Sequence, residues 1–154
     1  MKKLCMVLLA IINMGCAVAF GPKFETAEAK SDKALVYVYR EKTFYGSGNM
    51  LIPRLWLDDK KIGSMRMGGY HVLSLDPGQY VLDMRATLGG TLKKKTINLA
   101  VGDTKFFEYA EFMTGMNNYG GTNVATGSSM FIEKTEVKAM PEIVKTKRLS
   151  INYF

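Results

Sequence analysis

From Ala34 to Glu133 the chain is cut by turn residues into apolar segments too short for helices, which restricts it to a β fold. Ala34–Tyr39 (ALVYVY) is dense in the β-branched and aromatic residues that suit a pleated surface. Arg54–Asp58 alternates, placing Leu55 and Leu57 on one face and Trp56 on the other. Asp58-Asp59-Lys60-Lys61 reads as a tight turn into Ile62–Met65. Tyr70–Leu75 sets His71, Leu73 and Leu75 on one side. Asp76-Pro77-Gly78 then turns the chain into Gln79–Thr87, with Tyr80, Leu82 and Met84 sharing a face. Gly89-Gly90 leads into Leu92–Val101, Gly102-Asp103 into Lys105–Met113, and Ser129–Glu133 is a last strand. Lys93-Lys94-Lys95 marks an edge strand, where lysines discourage sheet-to-sheet aggregation.

One segment has helical signals. Met140–Leu149 (MPEIVKTKRL) offers Pro at a first helical position, Glu next, and basic residues toward its end, in keeping with the helix dipole. Residues 114–128 (TGMNNYGGTNVATGS) are too polar for core and long for a hairpin connection, so they are expected to form a mobile or functional loop. About eight strands and one helix make a single two-layer domain over residues 34–149, a β-sandwich with a helix packed on it.

The first nineteen residues carry an address. Lys2 and Lys3 precede an uncharged apolar run from Leu4, and small residues follow at Gly15, Ala17 and Ala19, the order of a secretory signal helix. Three readings stand. Cleavage before Cys16 with lipid on its sulfur makes residues 1–15 the signal; cleavage after Ala19 releases a soluble periplasmic or secreted protein; retention of the run leaves an anchor somewhat shorter than a full bilayer span. Once Cys5 leaves with the signal, Cys16 stands alone, and lipidation explains an otherwise unpaired exported cysteine. Ala17 after that cysteine, in place of Asp, points to the outer membrane, facing the periplasm. Residues 17–33 have no sustained period and read as a flexible tether reaching at most about 55 Å.

The segments ALVYVYR (34–40), LWLDDKKIG (55–63), GGYHVLSLDPGQY (68–80) and MPEIVKTKR (140–148), with Gly15-Cys16 and Gly21-Pro22-Lys23-Phe24, together resemble the bacterial domain-of-unknown-function family 2846. The resemblance implies a small envelope domain, usually lipid-anchored, with no assigned activity. The stretch from Gly69 to Tyr80 is also similar to transthyretin-like sandwich modules of bacterial surface proteins. The expected fold is therefore mainly β, a small transthyretin- or immunoglobulin-like sandwich with a short C-terminal helix. The chain departs from the family in two places: Asp59 stands in place of Gly, and Asn13 and Met14 precede Gly15 where a lipid signal ordinarily has Leu and a small residue.

No motif announces catalysis, a cofactor or a metal site. His71 is the one histidine and alternates with core leucines, which is the pattern of a buried strand histidine. Asp58, Asp59, Asp76 and Asp103 sit at turns, where carboxylates bond local backbone. Two surfaces remain for binding. Tyr37, Tyr39 and Trp56 lie opposite the core faces of their strands and could stack a sugar or peptide. The competing account has the helix covering the tyrosines through Ile143 and Val144. Lys145, Lys147 and Arg148 could meet an anionic surface, in a chain whose formal charge is +7. An exported basic protein does not ordinarily meet nucleic acid. The leading reading is a non-enzymatic, lipid-anchored envelope module that binds a protein or cell-wall glycan or has a structural role; the alternative is a periplasmic hydrolase-like enzyme using carboxylates and His71.

Overall fold

The computed structural model describes residues 18–28, 30–42, 52–86 and 91–151. The expected signal helix and Cys16 lie outside them. The described residues form two sheets and one helix. Strands β1 (Ala34–Arg40), β4 (Gly69–Leu75), β7 (Thr104–Tyr119), β8 (Thr122–Lys134) and β9 (Lys147–Arg148) make a sheet of order β8-β7-β1-β4-β9. Strands β2 (Arg54–Leu57), β3 (Lys60–Ser64), β5 (Gly78–Arg85) and β6 (Thr91–Leu99) make the second, of order β3-β2-β5-β6. The helix α1 spans Glu136–Ile143. The mainly β sandwich with a short C-terminal helix expected from the sequence is what forms.

Alternation fills the space between the sheets. Val36 and Val38 of β1, Leu55 and Leu57 of β2, Leu73 of β4, Leu82 and Met84 of β5, and Phe107 of β7 are all buried there. On the far side of the five-stranded sheet, Leu35, Tyr37, Tyr39, Tyr70, Val72 and Phe106 form a second apolar layer with Ala139 and Ile143 of α1. β1 is consequently buried along its whole length. It pairs antiparallel with β4 and parallel with β7, so both faces and both edges are occupied.

Four sequence expectations change. Residues 114–128 are no loop: β7 and β8 continue through them as a hairpin arm, closed by Gly120 and Gly121 at φ 56° and 85°. Two positive φ values in a two-residue connection twist with the strands, so polar residues serve as exposed strand and not as connection. The helix begins at Glu136, after Thr135, and encloses Pro141 instead of starting near it. It ends early because Thr146 returns its amide, and its hydroxyl at 2.6 Å, to the carbonyl of Ile143. Val144, expected to cover the sheet, is exposed; Ala139 takes that part beside Ile143.

Finally, residues 18–28 are not a free tether. They lie along the domain as a strap, and Lys147 and Arg148 leave the helix to join the sheet beside them. The backbone groups of the β4 edge need partners, and these segments supply them. The opposite edge is protected by charge. Lys95 of β6 lies 3.5 Å from Glu133 and over the Phe107 ring at 5.5 Å, a charged rim on the inter-sheet core.

Candidate functional site

The strap and β9 together line one edge of the five-stranded sheet. Val18 bridges to Met67, and the amide of Ala19 donates to the Met67 carbonyl at 2.9 Å. Ala19 itself is 2% exposed and belongs to the inter-sheet core. The amide of Arg148 donates to the Pro22 carbonyl at 2.9 Å, and Lys23 bridges to Lys147. Further on, Phe24 crosses to the outer layer, with its ring 5.2 Å from that of Tyr70 and 5.8 Å from that of Tyr37. The hydroxyl of Tyr37 accepts the Ala27 amide at 2.9 Å, and that of Tyr70 accepts the Glu25 amide at 3.3 Å. The strap thus wraps the sheet edge from one core to the other.

Gly21 allows the wrap. Its φ is 155°, and a Cβ there would lie 2.1 Å from the carbonyl oxygen of Arg148. Gly21→Val is expected to cost about 1–3 kcal/mol in strained backbone. Hydrogen exchange at the amides of Ala19 and Arg148 should then accelerate while that of β1 amides stays slow. Unchanged protection at Ala19 and Arg148 would mean that the strap does not depend on this contact.

Phe20 stands out from the strap at 69% exposure. Lys23, Lys147 and Arg148 are exposed nearby and form no ion pair with a carboxylate among the described residues. Pro22, Arg148, Leu149, Ser150 and Ile151 line an open cleft of about 270 Å³ beside them. Lys145, expected to act with Lys147 and Arg148, follows α1 as an exposed residue outside β9.

The aromatic trio does not assemble. Tyr37 and Tyr39 are buried under α1 and the strap, and the Tyr37 ring stacks on Phe106 at 5.0 Å and 8°. These two residues form no stacking platform, because a sheet with two apolar faces must cover both. Trp56 belongs to the other sheet. The Arg85 guanidinium lies over its ring at 4.2 Å and bonds the buried carboxylate of Asp83, Nε to Oδ2 at 2.6 Å.

The turn carboxylates do what their positions suggest. Asp58 accepts the Val81 amide at 2.8 Å, Asp103 accepts the Ala100 amide at 2.9 Å, and Asp76 pairs with Lys33 at 2.6 Å. Asp58 and Asp59 form the two-residue turn between β2 and β3 with φ of 44° and 63°. Asp tolerates that left-handed conformation better than most residues, and Asp59 is further held by Arg85.

His71 is fully buried beside β3, with Nε2 3.1 Å from the Ser64 carbonyl and Nδ1 buried without a protein partner. Burial pushes its pKa down to about 4, against the opposing pull of the Ser64 carbonyl. The proton is therefore on Nε2, donating to Ser64, at neutral pH. Among the described residues no three His, Cys, Asp or Glu side chains gather as a metal-ion set.

One constellation escaped the sequence. Lys134 of β8 contacts Glu108 of β7 at 2.7 Å and Glu142 of α1 at 2.6 Å, and Glu142 also accepts the hydroxyl of Tyr39 from β1. Burial, then the bond to Glu142, raises the Tyr39 pKa. Partial burial also pushes the Glu142 carboxyl up, but the bonds from Lys134 and Tyr39 outweigh it and leave it below its ordinary value. These groups clamp α1 to the sheet. No local signal marks them, because Tyr39 and Glu142 are distant in the chain and meet only through the fold.

Residues 30–123 match the model of a family described as a protein of unknown function, DUF2846. No curated protein matches the chain.

Proposed function

The chain belongs to the family of proteins of unknown function DUF2846, and on that footing we propose that it is an exported envelope protein, lipid-anchored through Cys16. Its role is non-enzymatic: it binds an envelope protein or cell-wall glycan, or is structural. The basic, apolar and small segments of residues 1–19 support export. The burial of Ala19 supports cleavage before Cys16 over cleavage after Ala19. Cleavage after Ala19 would remove a core residue, the Val18–Met67 bridge and the hydrogen bond to the Met67 carbonyl. Cleavage before Cys16 keeps all three and leaves the cysteine at the new N-terminus.

A diacylglyceryl thioether with an amide-linked acyl chain provides more than one buried chain at about 0.8 kcal/mol per CH₂, enough for lasting attachment. Export followed by outer-membrane sorting, facing the periplasm, accords with Ala17 after the cysteine. The non-enzymatic reading draws on the enclosure of His71 and the backbone or ion-pair partners of the turn aspartates. A general base has to come within hydrogen-bond reach of its substrate.

Cells grown with labelled palmitate should label the native protein and leave Cys16→Ala unlabelled. Equal labelling of both, or of neither, would overturn the anchor. Release of a chain beginning at Phe20 would select the soluble alternative.

A further inference from the structure

We infer that the strap docks the domain directly on an anionic bilayer, with Phe20 in the interface and Lys23 and Lys147 against lipid headgroups. The inference rests on the lipid anchor at Cys16 and deepens it by assigning the domain an orientation and a second contact. A free tether over residues 17–33 would have let the domain stand far from the membrane in any orientation. The strap removes that freedom from Val18 onward, since Ala19, Pro22, Phe24 and Ala27 are each tied to the fold. Two peptide units separate Cys16 from Val18, so their Cα atoms are within about 8 Å of each other wherever the intervening chain runs. The acyl chains must therefore enter the bilayer close to the strap–β9 edge.

That edge has the chemistry of a peripheral membrane contact. Phe20 is a large apolar side chain at 69% exposure, four residues from the lipid-bearing cysteine. Lys23 and Lys147 face one another across the strap–β9 pair, whereas Arg148, opposite Tyr70, projects on the other face of β9 toward the outer layer. The one carboxylate among residues 18–25 is Glu25, whose backbone is turned toward Tyr70 on the outer layer. Aromatic rings settle at the headgroup level while Lys and Arg pair with anionic headgroups.

The test uses the full chain, purified in detergent from membranes of cells that export it and reconstituted into phosphatidylcholine vesicles with or without phosphatidylglycerol. One variant is F20W; the control is V137W, on the exposed side of α1. Each is measured against the emission of Trp56 in the unsubstituted chain. Lipids brominated on their acyl chains should quench F20W and spare V137W in the anionic vesicles. Adding K23Q and K147Q should lower the docked-to-undocked ratio about fivefold per charge, and raised salt should act in the same direction. Retention on the vesicles with no quenching of F20W, or with equal quenching of V137W, overturns the docked orientation and leaves the anchor standing. Quenching indifferent to vesicle charge and to salt removes the basic edge from the interface and overturns the inference as stated. Loss of the chain from sedimented vesicles overturns the anchor and this inference together.

Discussion

Leu82→Ala is expected to lower the unfolding free energy by about 2–5 kcal/mol. Leu82 lies in β5, opposite Leu57 of β2 and Lys95 of β6, and is fully buried between the sheets. Truncation removes transfer energy and leaves a cavity that a two-sided sheet closes poorly, because the backbones on either side are held by their ladders. Leu55, Leu73 and Met84 stand in the same layer and should respond alike. Val137, at 83% exposure on α1, supplies the contrast: Val137→Ala should stay within about 0.5 kcal/mol. Denaturant melts of the two variants check the assignment. A cost at Leu82 no larger than at Val137 would mean that β5 presents its other face to the core.

The second large effect is set by pH. His71 is neutral and buried in the folded protein, with its pKa pushed down to about 4, whereas in the unfolded chain it takes its ordinary value of 6.5. As pH falls below 6.5 the unfolded chain binds a proton that the native protein refuses, so stability declines until pH reaches about 4 and is flat below. Over that window the loss amounts to about 3 kcal/mol. Glu142, held below its ordinary value, acts in the same direction at lower pH: its contribution is present above the carboxylate range and is lost as pH falls through its folded value. That contribution is common to the native chain and a His71→Leu variant, so it cancels between them. The unfolding free energy of the native chain should fall relative to that of His71→Leu by about 3 kcal/mol as the pH goes from 7.5 to 4. A constant difference would show that His71 either stays neutral in both states or titrates normally in the fold.

What could be read from the residues is whatever the chain decides locally. Side-chain alternation has a period of two, so Leu55 and Leu57 declared their face, Trp56 the other, and Leu82 with Met84 the inward side of β5. Turn chemistry acts over two to four residues, so Asp58-Asp59 and Pro77-Gly78 placed their turns. His71 was placed inside by its leucine neighbours. Residues 114–128 form strands and not the expected loop because polarity reports exposure, and a solvent-facing hairpin arm is as polar as a loop. The strap escaped because its docking depends on the bare β4 edge and on the ring pocket of Tyr37 and Tyr70, both set far along the chain. Lys147 and Arg148 followed α1 by composition, yet the amide of Lys147 found the Gly68 carbonyl at 2.8 Å. The clamp of Tyr39, Glu108, Lys134 and Glu142 likewise exists only after four elements have met. Local preference determined which residues become strands and which way they face. Tertiary structure alone decided which edges they meet, because an unpaired backbone edge or a buried charge takes its partner from any part of the chain that the fold brings within reach.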